Sequence, residues 1–215
     1  MKPYINIHTH HLSKDNGVFL FNNRFGINNI FLEKYFSIGI HPWDADLQIS
    51  ISEFECYIQN QNCLAIGECG LDKLKGPDLE IQKNVFISQL DLAVKYQMPV
   101  IIHCVKAFDE LIEICKPYYS KIPLIIHGFN KSAQLAKQLI DKGFYISFHY
   151  SVFEKTDYDF SIVPLHKIFL ETDNNEDASI IEIYRKVALC FKLSESDLKE
   201  KIYINFTALF KNYGR

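Results

Sequence analysis

The chain has 215 residues, of which 48% are hydrophobic and 23% are charged, and this composition excludes a disordered chain, a collagen-like repeat and an integral membrane protein. Because α/β barrels of roughly 200–250 residues fold as one unit, we expect a single domain over residues 1–215. The net charge of −3 excludes a global basic surface that would attract a polyanion. A nucleic-acid substrate would have to be held by local basic groups or by metal ions.

The six cysteines include no CxxC pair, and a chain of this length needs no disulfide framework, so we expect reduced thiols. A histidine at position 8 interrupts the region where a signal peptide would be apolar, and no apolar run is long enough to span a bilayer. The sequence therefore predicts a cytoplasmic protein with no membrane partner. It leaves the oligomeric state open and is compatible with a monomer.

Short runs rich in β-branched and aromatic residues recur along the chain and predict strands. There are eight of them, at residues 4–7, 36–40, 64–67, 100–102, 124–126, 144–148, 167–170 and 202–204. Helical periodicity fills most of the gaps, at residues 47–59, 77–96, 107–115, 132–142 and 178–192. The predicted strands are almost continuously apolar, as in a sheet covered on both faces. This alternation predicts an α/β fold and a closed (β/α)8 TIM-like barrel, with an open doubly wound sheet as the alternative.

Metal-binding residue types follow these strands at the edge where both architectures bind ligands. They are His8 and His10, then His41, Glu68, His103 and His127, and finally Glu171 and Asp173. His8 and His10 are two residues apart, so both imidazoles point to one side of a strand. A lone His-x-His pair is more often structural, but one chemical class at successive strand ends favours metal ligation. Buried together, these groups would lose hydration unless they bound a cation. The four imidazoles of His8, His10, His103 and His127 and the two carboxylates of Glu68 and Asp173 suit two ions that share a carboxylate better than one tetrahedral zinc.

In this order, the residues resemble the TatD family of metal-dependent hydrolases, within the amidohydrolase-like barrel superfamily. The resemblance spans residues 5–210 and rests on these segments: His8-Thr9-His10, Gly39-Ile40-His41-Pro42, Ile66-Gly67-Glu68-Cys69-Gly70-Leu71-Asp72, His103-Cys104, His127-Gly128 and Glu171-Thr172-Asp173.

The resemblance implies a ligand set, a mechanism and a substrate. His8, His10, Glu68 and Asp173 would hold one divalent ion, and Glu68, His103 and His127 a second, with Glu68 bridging the two. The metals would be Zn, Mn, Mg, Co or Fe. Asp173 would orient or deprotonate the attacking water, which makes Asp173 and Glu68 the predicted catalytic residues. The implied reaction is hydrolysis of a phosphodiester, chiefly in DNA.

Five further side chains are candidates for substrate contact. His41 resembles the family residue that contacts a substrate phosphate, although a histidine before proline can also cap the following turn. Trp43 and Phe129 could stack on a nucleobase or only cover the rim of the barrel. Lys73 and Lys106 follow strands that carry predicted ligands and could meet phosphates, although lysines in such loops are often only solvated.

The sequence departs from the family pattern in three places. Asn6 stands where the family usually has Asp, Val105-Lys106 replaces Arg-Asp, and the segment 174–178 is short and lacks basic residues. Because the last two changes remove basic groups, two alternatives to a deoxyribonuclease stay open. One is an amide or ester hydrolase, such as a deacylase, with the same metal ligands. The other is a catalytically weak module that binds metal or nucleic acid.

Overall fold

The structure is a computed structural model that describes residues 2–12, 15–27, 30–32, 34–154 and 158–214. Within them, eight strands form one sheet in chain order. They are β1 (Tyr4–Thr9), β2 (Gly17–Arg24), β3 (Phe36–Gly39), β4 (Cys63–Asp72), β5 (Val100–Val105), β6 (Leu124–Ile126), β7 (Tyr145–Phe148) and β8 (Ile168–Leu170). Each strand pairs in parallel with the next, and a Thr9–Asp173 bridge joins the two ends of the sheet. The result is a nearly closed barrel, which confirms the predicted fold and excludes the open sheet.

Helices follow most of the strands from β3 onward. They are α1 (Ile51–Ile58), α2 (Leu79–Tyr96), α3 (Phe108–Cys115), α4 (Ala133–Asp141), α5 (Ile180–Cys190) and α6 (Glu195–Leu209). The five predicted helices are confirmed, with α1 beginning at Ile51 because the Ser50 side chain caps its N-terminus by accepting a hydrogen bond from the Glu53 amide. Among the described residues, no helix is both long enough and apolar enough to cross a membrane.

One of the eight predicted strands is wrong. Residues 202–204 lie inside α6, where Leu198, Ile202 and Phe206 recur every four residues and are all buried. A short apolar run of this kind does not distinguish a strand from a helix, and the helical spacing decides here. The eighth strand of the barrel is instead β2, which the sequence patterns above do not predict.

The connections on either side of β2 are short. Parallel strands usually need a crossover of about a dozen residues or more, commonly a helix. Here the connections are residues 10–16 and 25–35, and their described residues contain no helix. Along β2, Leu20 and Asn22 alternate into the buried interior, whereas Phe19 and Phe21 on the outer face stay partly exposed.

Side chains hold the lower part of the seam between β8 and β1. The Tyr184 hydroxyl of α5 accepts a hydrogen bond from the Ile5 amide (3.0 Å) and donates one to the Ile5 carbonyl (3.1 Å). One step higher, Asn6 Nδ2 donates to Thr172 Oγ1 (2.8 Å), and the Thr172 amide donates to Asn6 Oδ1 (3.3 Å). These contacts occupy backbone groups that a strand ladder would otherwise pair, and they align β1 with the segment that follows β8.

Candidate metal centre

Backbone pairing at the top of the seam brings His8, His10 and Asp173 together. The Asp173 amide donates to the His8 carbonyl, and the His10 amide donates to the Asp173 carbonyl, both at 3.1 Å. The two imidazoles share one side of β1, so each presents its Nε2 to Asp173 Oδ1, at 3.5 Å from His8 and 3.6 Å from His10. Asp173 has a φ of +52°, a left-handed conformation that Asp and Asn adopt more readily than most residues.

Glu68 lies at the centre of the cluster, 4% exposed, and its two carboxylate oxygens face opposite groups of histidines. Oε2 lies 3.6 Å from the Nε2 atoms of both His8 and His10. Oε1 lies 2.8 Å from His103 Nδ1 and 2.8 Å from His127 Nε2. We call these two groups the Oε2 side and the Oε1 side. The structure thus gathers the four predicted histidine ligands around the Glu68 carboxylate and places Asp173, the sixth predicted ligand, against His8 and His10.

The Oε2 side, taken together with Asp173, fits a divalent cation. Its histidine nitrogens and carboxylate oxygens are 3.5–3.6 Å apart, and ligands 2.1 Å from a tetrahedral ion would be about 3.4 Å apart. His8 is fully buried, yet neither of its ring nitrogens has a hydrogen-bond partner among the described residues. Unpaired buried polar atoms are costly, and a bound cation would remove that cost. Mixed imidazole and carboxylate donors suit Zn, Mn, Fe or Co.

On the Oε1 side, the buried side chains of Glu68 and His127 stabilise each other's charged forms. Burial opposes ionisation of Glu68, but the imidazoles of His127, His10 and His103 hold the pKa of this carboxyl well below its usual range. Burial also disfavours a charge on His127, but the carboxylates of Glu68 and Glu171 raise the pKa of this imidazole well above its usual value. In the metal-free protein, the His127 imidazole therefore supplies positive charge next to Glu68 Oε1.

Two more carboxylates orient the histidines of the Oε1 side, and each contacts the ring nitrogen that does not face Glu68. Glu171 Oε1 lies 3.3 Å from His127 Nδ1 and accepts a hydrogen bond from the Gly128 amide. Asp72 Oδ2 lies 3.3 Å from His103 Nε2. Such carboxylate–histidine pairs determine which ring nitrogen faces a metal. The patterns above assign neither carboxylate this role, although spacing of four residues on β4 places Asp72 on the same side as Glu68.

His41 combines both roles considered for it. Its Nδ1 accepts a hydrogen bond from the Trp43 amide at 3.3 Å, and its Nε2 lies 3.3 Å from Glu68 Oε1. Burial lowers the pKa of His41, so the ring is neutral at pH 7 and carries its proton on Nε2. The Trp43 ring lies 4.6 Å from the His41 ring, and its Nε1 donates to Asp72 Oδ2 at 2.7 Å.

The other candidate substrate contacts are placed differently. Phe129 is 2% exposed and packs edge-on against Phe108 and Phe148, which corresponds to rim packing and leaves no open ring face for stacking. Lys73 is ion-paired with Glu110 at 2.6 Å. Lys106 is exposed directly after β5, with a φ of +56°. Of the five candidates, His41 lies against the six-residue cluster and Trp43 lies beside His41.

Comparison with known proteins finds similarity between this chain and one family of metal-dependent hydrolases. Residues 27–211 match the family model described as TatD related DNase. The chain is 30% identical over 144 residues to the 3'-5' ssDNA/RNA exonuclease TatD of Citrobacter koseri, across 63% of this chain and 55% of that protein. The chain spans about half the length of the curated relatives it matches.

Two solved structures share the fold. The crystal structure of YJJV, a TatD homologue from Escherichia coli K12, aligns with a TM-score of 0.74 and 20% identity, over 90% of this chain and 86% of that chain. The crystal structure of a TatD-family hydrolase from Entamoeba histolytica aligns with a TM-score of 0.75 and 15% identity, over 97% of this chain and 98% of that chain.

Proposed function

The chain belongs to the TatD-related DNase family, and from this premise we propose that it is a divalent-metal-dependent hydrolase that cleaves phosphodiester bonds in DNA or RNA. One observation carries the proposal. Four donor atoms, from His8, His10, Glu68 and Asp173, stand at the spacing of metal ligands, and buried His8 has no other partner among the described residues. Similarity to an enzyme named a single-strand DNA/RNA exonuclease supports single-stranded nucleic acid as the substrate.

Each ligand has a place in this proposal. His8, His10, Glu68 and Asp173 would hold one ion, and Glu68, His103 and His127 the second, with Glu68 shared between them. Divalent ions bound here would activate the attacking water and offset the negative charge of the phosphate. Glu171 and Asp72 keep the two histidines of the Oε1 side in their orientations.

Asp173 and His41 would act on the water and the phosphate. Burial opposes ionisation of Asp173, but the imidazole of His8, whose Nε2 lies 3.5 Å from Asp173 Oδ1, and the charge of His127 keep its pKa below the usual range. Its side chain is 28% exposed, so the carboxylate can accept a hydrogen bond from a water that enters from solvent and can orient that water. A phosphate oxygen bound beside Glu68 would compete with Glu68 Oε1, 3.3 Å away, for the Nε2 proton of neutral His41.

The test is cleavage of a single-stranded oligonucleotide by metal-loaded protein, with Asp173→Asn as the variant. General acid–base groups contribute about 100- to 10,000-fold to rate, so we expect at least a ~100-fold loss of turnover with an unchanged circular dichroism spectrum. Asp177→Asn is the matched control because it removes the same charge from an exposed position four residues away. Turnover by Asp173→Asn within tenfold of wild type would show that the assigned mechanism is wrong.

A second candidate is hydrolysis of an amide or ester bond, as in a deacylase. The pairing of Lys73 with Glu110 and the burial of Phe129 favour it, because they withdraw two contacts that a nucleic acid could use. Parallel assays on oligonucleotides and acyl substrates separate the two reactions. Cleavage of acyl substrates alone would replace the phosphodiesterase proposal, and metal binding without turnover on either class would indicate a binding module.

A further inference from the structure

Asn22, on the unpredicted strand β2, contacts Glu68 through both ends of its amide. Nδ2 donates to Glu68 Oε2 at 3.1 Å, and Oδ1 accepts a hydrogen bond from the Glu68 backbone amide at 3.0 Å. The Ser37 hydroxyl of β3 also points to Oδ1, at 3.5 Å. Because Asn22 is buried and its oxygen meets a backbone donor, the opposite amide orientation would set N–H against N–H. The side chain therefore fixes the backbone and the carboxylate of residue 68 together.

The hydrogen bond from Asn22 to the Glu68 carboxylate involves only one of its two oxygens. Oε2 is the oxygen that faces His8 and His10, and Asn22 occupies one of its lone pairs without adding charge. Oε1 has its own contacts at 2.8 Å with His103 and His127. Loss of Asn22 would free the Oε2 end of the carboxylate while the Oε1 end stays hydrogen-bonded.

We infer that Asn22 is a positioning residue that holds Glu68 Oε2 where it can bind the ion shared with His8, His10 and Asp173. This inference rests on the proposed function, since it requires the cluster to bind divalent ions. Residues that orient a metal ligand typically change affinity by about 10- to 100-fold when they are replaced. Here the change should fall mainly on one ion of the pair, because Asn22 contacts only the Oε2 end of the carboxylate, and the Oε1 end keeps its contacts with His103 and His127 when the hydrogen bond to the Glu68 amide is lost.

The experiment is a calorimetric titration of the metal-stripped 215-residue chain with Mn²⁺. Two variants remove both contacts of Asn22. Asn22→Ala leaves room for a water that can replace the donor, whereas Asn22→Val suits a strand and fills that room. We expect two ions in wild type, a roughly 10- to 100-fold weaker affinity for one ion in Asn22→Val, a smaller loss in Asn22→Ala, and a second affinity within about threefold of wild type.

Asn23→Ala is the matched control. Asn23 is the next residue of β2 and also makes two hydrogen bonds, to the amide (2.9 Å) and the carbonyl (3.0 Å) of Phe31, without a hydrogen bond to Glu68. It should lower the melting temperature of the metal-stripped protein about as much as the Asn22 variants do, and leave both Mn²⁺ affinities unchanged. Activity of Asn22→Val should also recover at higher Mn²⁺, which a merely structural defect would not show.

The outcomes are distinct. Two equally weakened affinities in Asn22→Val, or two unchanged ones, overturn the positioning role while the proposed function stands. A wild-type protein that takes up no Mn²⁺, Zn²⁺ or Co²⁺ overturns the proposed function itself, and the inference falls with it. Weakening of one ion by Asn23→Ala as well would show that the effect comes from β2 as a whole rather than from the contact with Glu68.

Discussion

Replacement of Tyr184 by Phe tests how the barrel is closed beneath the candidate metal centre. The substitution deletes one hydroxyl from a fully buried side chain and leaves its ring in place. That hydroxyl is the hydrogen-bond partner of both the amide and the carbonyl of Ile5, at 3.0 and 3.1 Å. Over the described residues, β1 and β8 form no ladder at this level, so we expect neither group to find a new partner.

The expected loss of stability comes from the amide and the carbonyl of Ile5, which both lose their hydrogen-bond partner. Each buried donor or acceptor left unsatisfied costs about 1–3 kcal/mol, and partial relaxation brings the sum for the pair to roughly 2–4 kcal/mol. For a protein of this length, each kcal/mol lowers the melting temperature by about 2–4 °C. We therefore expect Tyr184→Phe to melt roughly 4–16 °C below wild type.

Urea and thermal unfolding measure this loss, with Tyr119→Phe as the control. The Tyr119 hydroxyl makes a single neutral hydrogen bond, to the Ile112 carbonyl, and is only partly buried, so its removal should cost about 0.5–1.5 kcal/mol. A Tyr184→Phe variant no less stable than Tyr119→Phe would refute the idea that this hydroxyl substitutes for strand pairing.

Three further predictions concern the cluster itself. His127 must lose its proton to bind an ion, and its pKa is raised, so metal affinity should fall as pH falls and protons should be released on binding. Calorimetry in buffers of different ionisation enthalpy measures this proton release. Its absence between pH 6 and 8 would contradict the assignment of His127 as a ligand. The stability of the metal-free protein should depend on pH in the opposite direction. The stabilisation that comes from the raised pKa of His127 is complete below the unfolded pKa of about 6.5 and is lost as pH rises through the folded pKa. Melting curves at a series of pH values will show this loss. Asp72→Asn keeps the side-chain shape but removes the charged partner of His103 Nε2, and should weaken metal binding by about 10- to 100-fold in a Zn²⁺ competition assay; an affinity equal to that of wild type would exclude the orienting role.

The strand ends were predictable because the sheet imposes one rule on all of them. Every parallel strand delivers its next residue to the same edge, so His8, Glu68, His103 and His127 could be grouped from local patterns alone. Their pairing could not. The division of the histidines between Oε2 and Oε1 of Glu68 depends on the register between strands and on side-chain torsions, which no local pattern records.

The two misread segments differ in cause. Residues 202–204 are β-branched and aromatic, but in a strand Ile202 and Ile204 would share a face, whereas here Ile202 is fully buried and Ile204 is 51% exposed. Tertiary packing along a helical stripe decides the conformation. Strand β2 shows the converse case: without helices in the described residues beside it, no change of periodicity marks its ends.

The geometry of the cluster bears on how a protein with a net charge of −3 could act on a negatively charged substrate. Glu68, Asp72, Glu171 and Asp173 surround the histidines, so the metal-free cluster gathers four carboxylates, of which Asp173 is the most exposed. If the proposed function is right, divalent ions both bind these carboxylates and attract the substrate. Coupling between two ligands of one site is reciprocal, so a substrate that binds better to the loaded cluster must tighten the hold on the ions by the same factor. An acidic protein can therefore act on an acidic polymer without a basic surface, provided that metal and phosphate bind together.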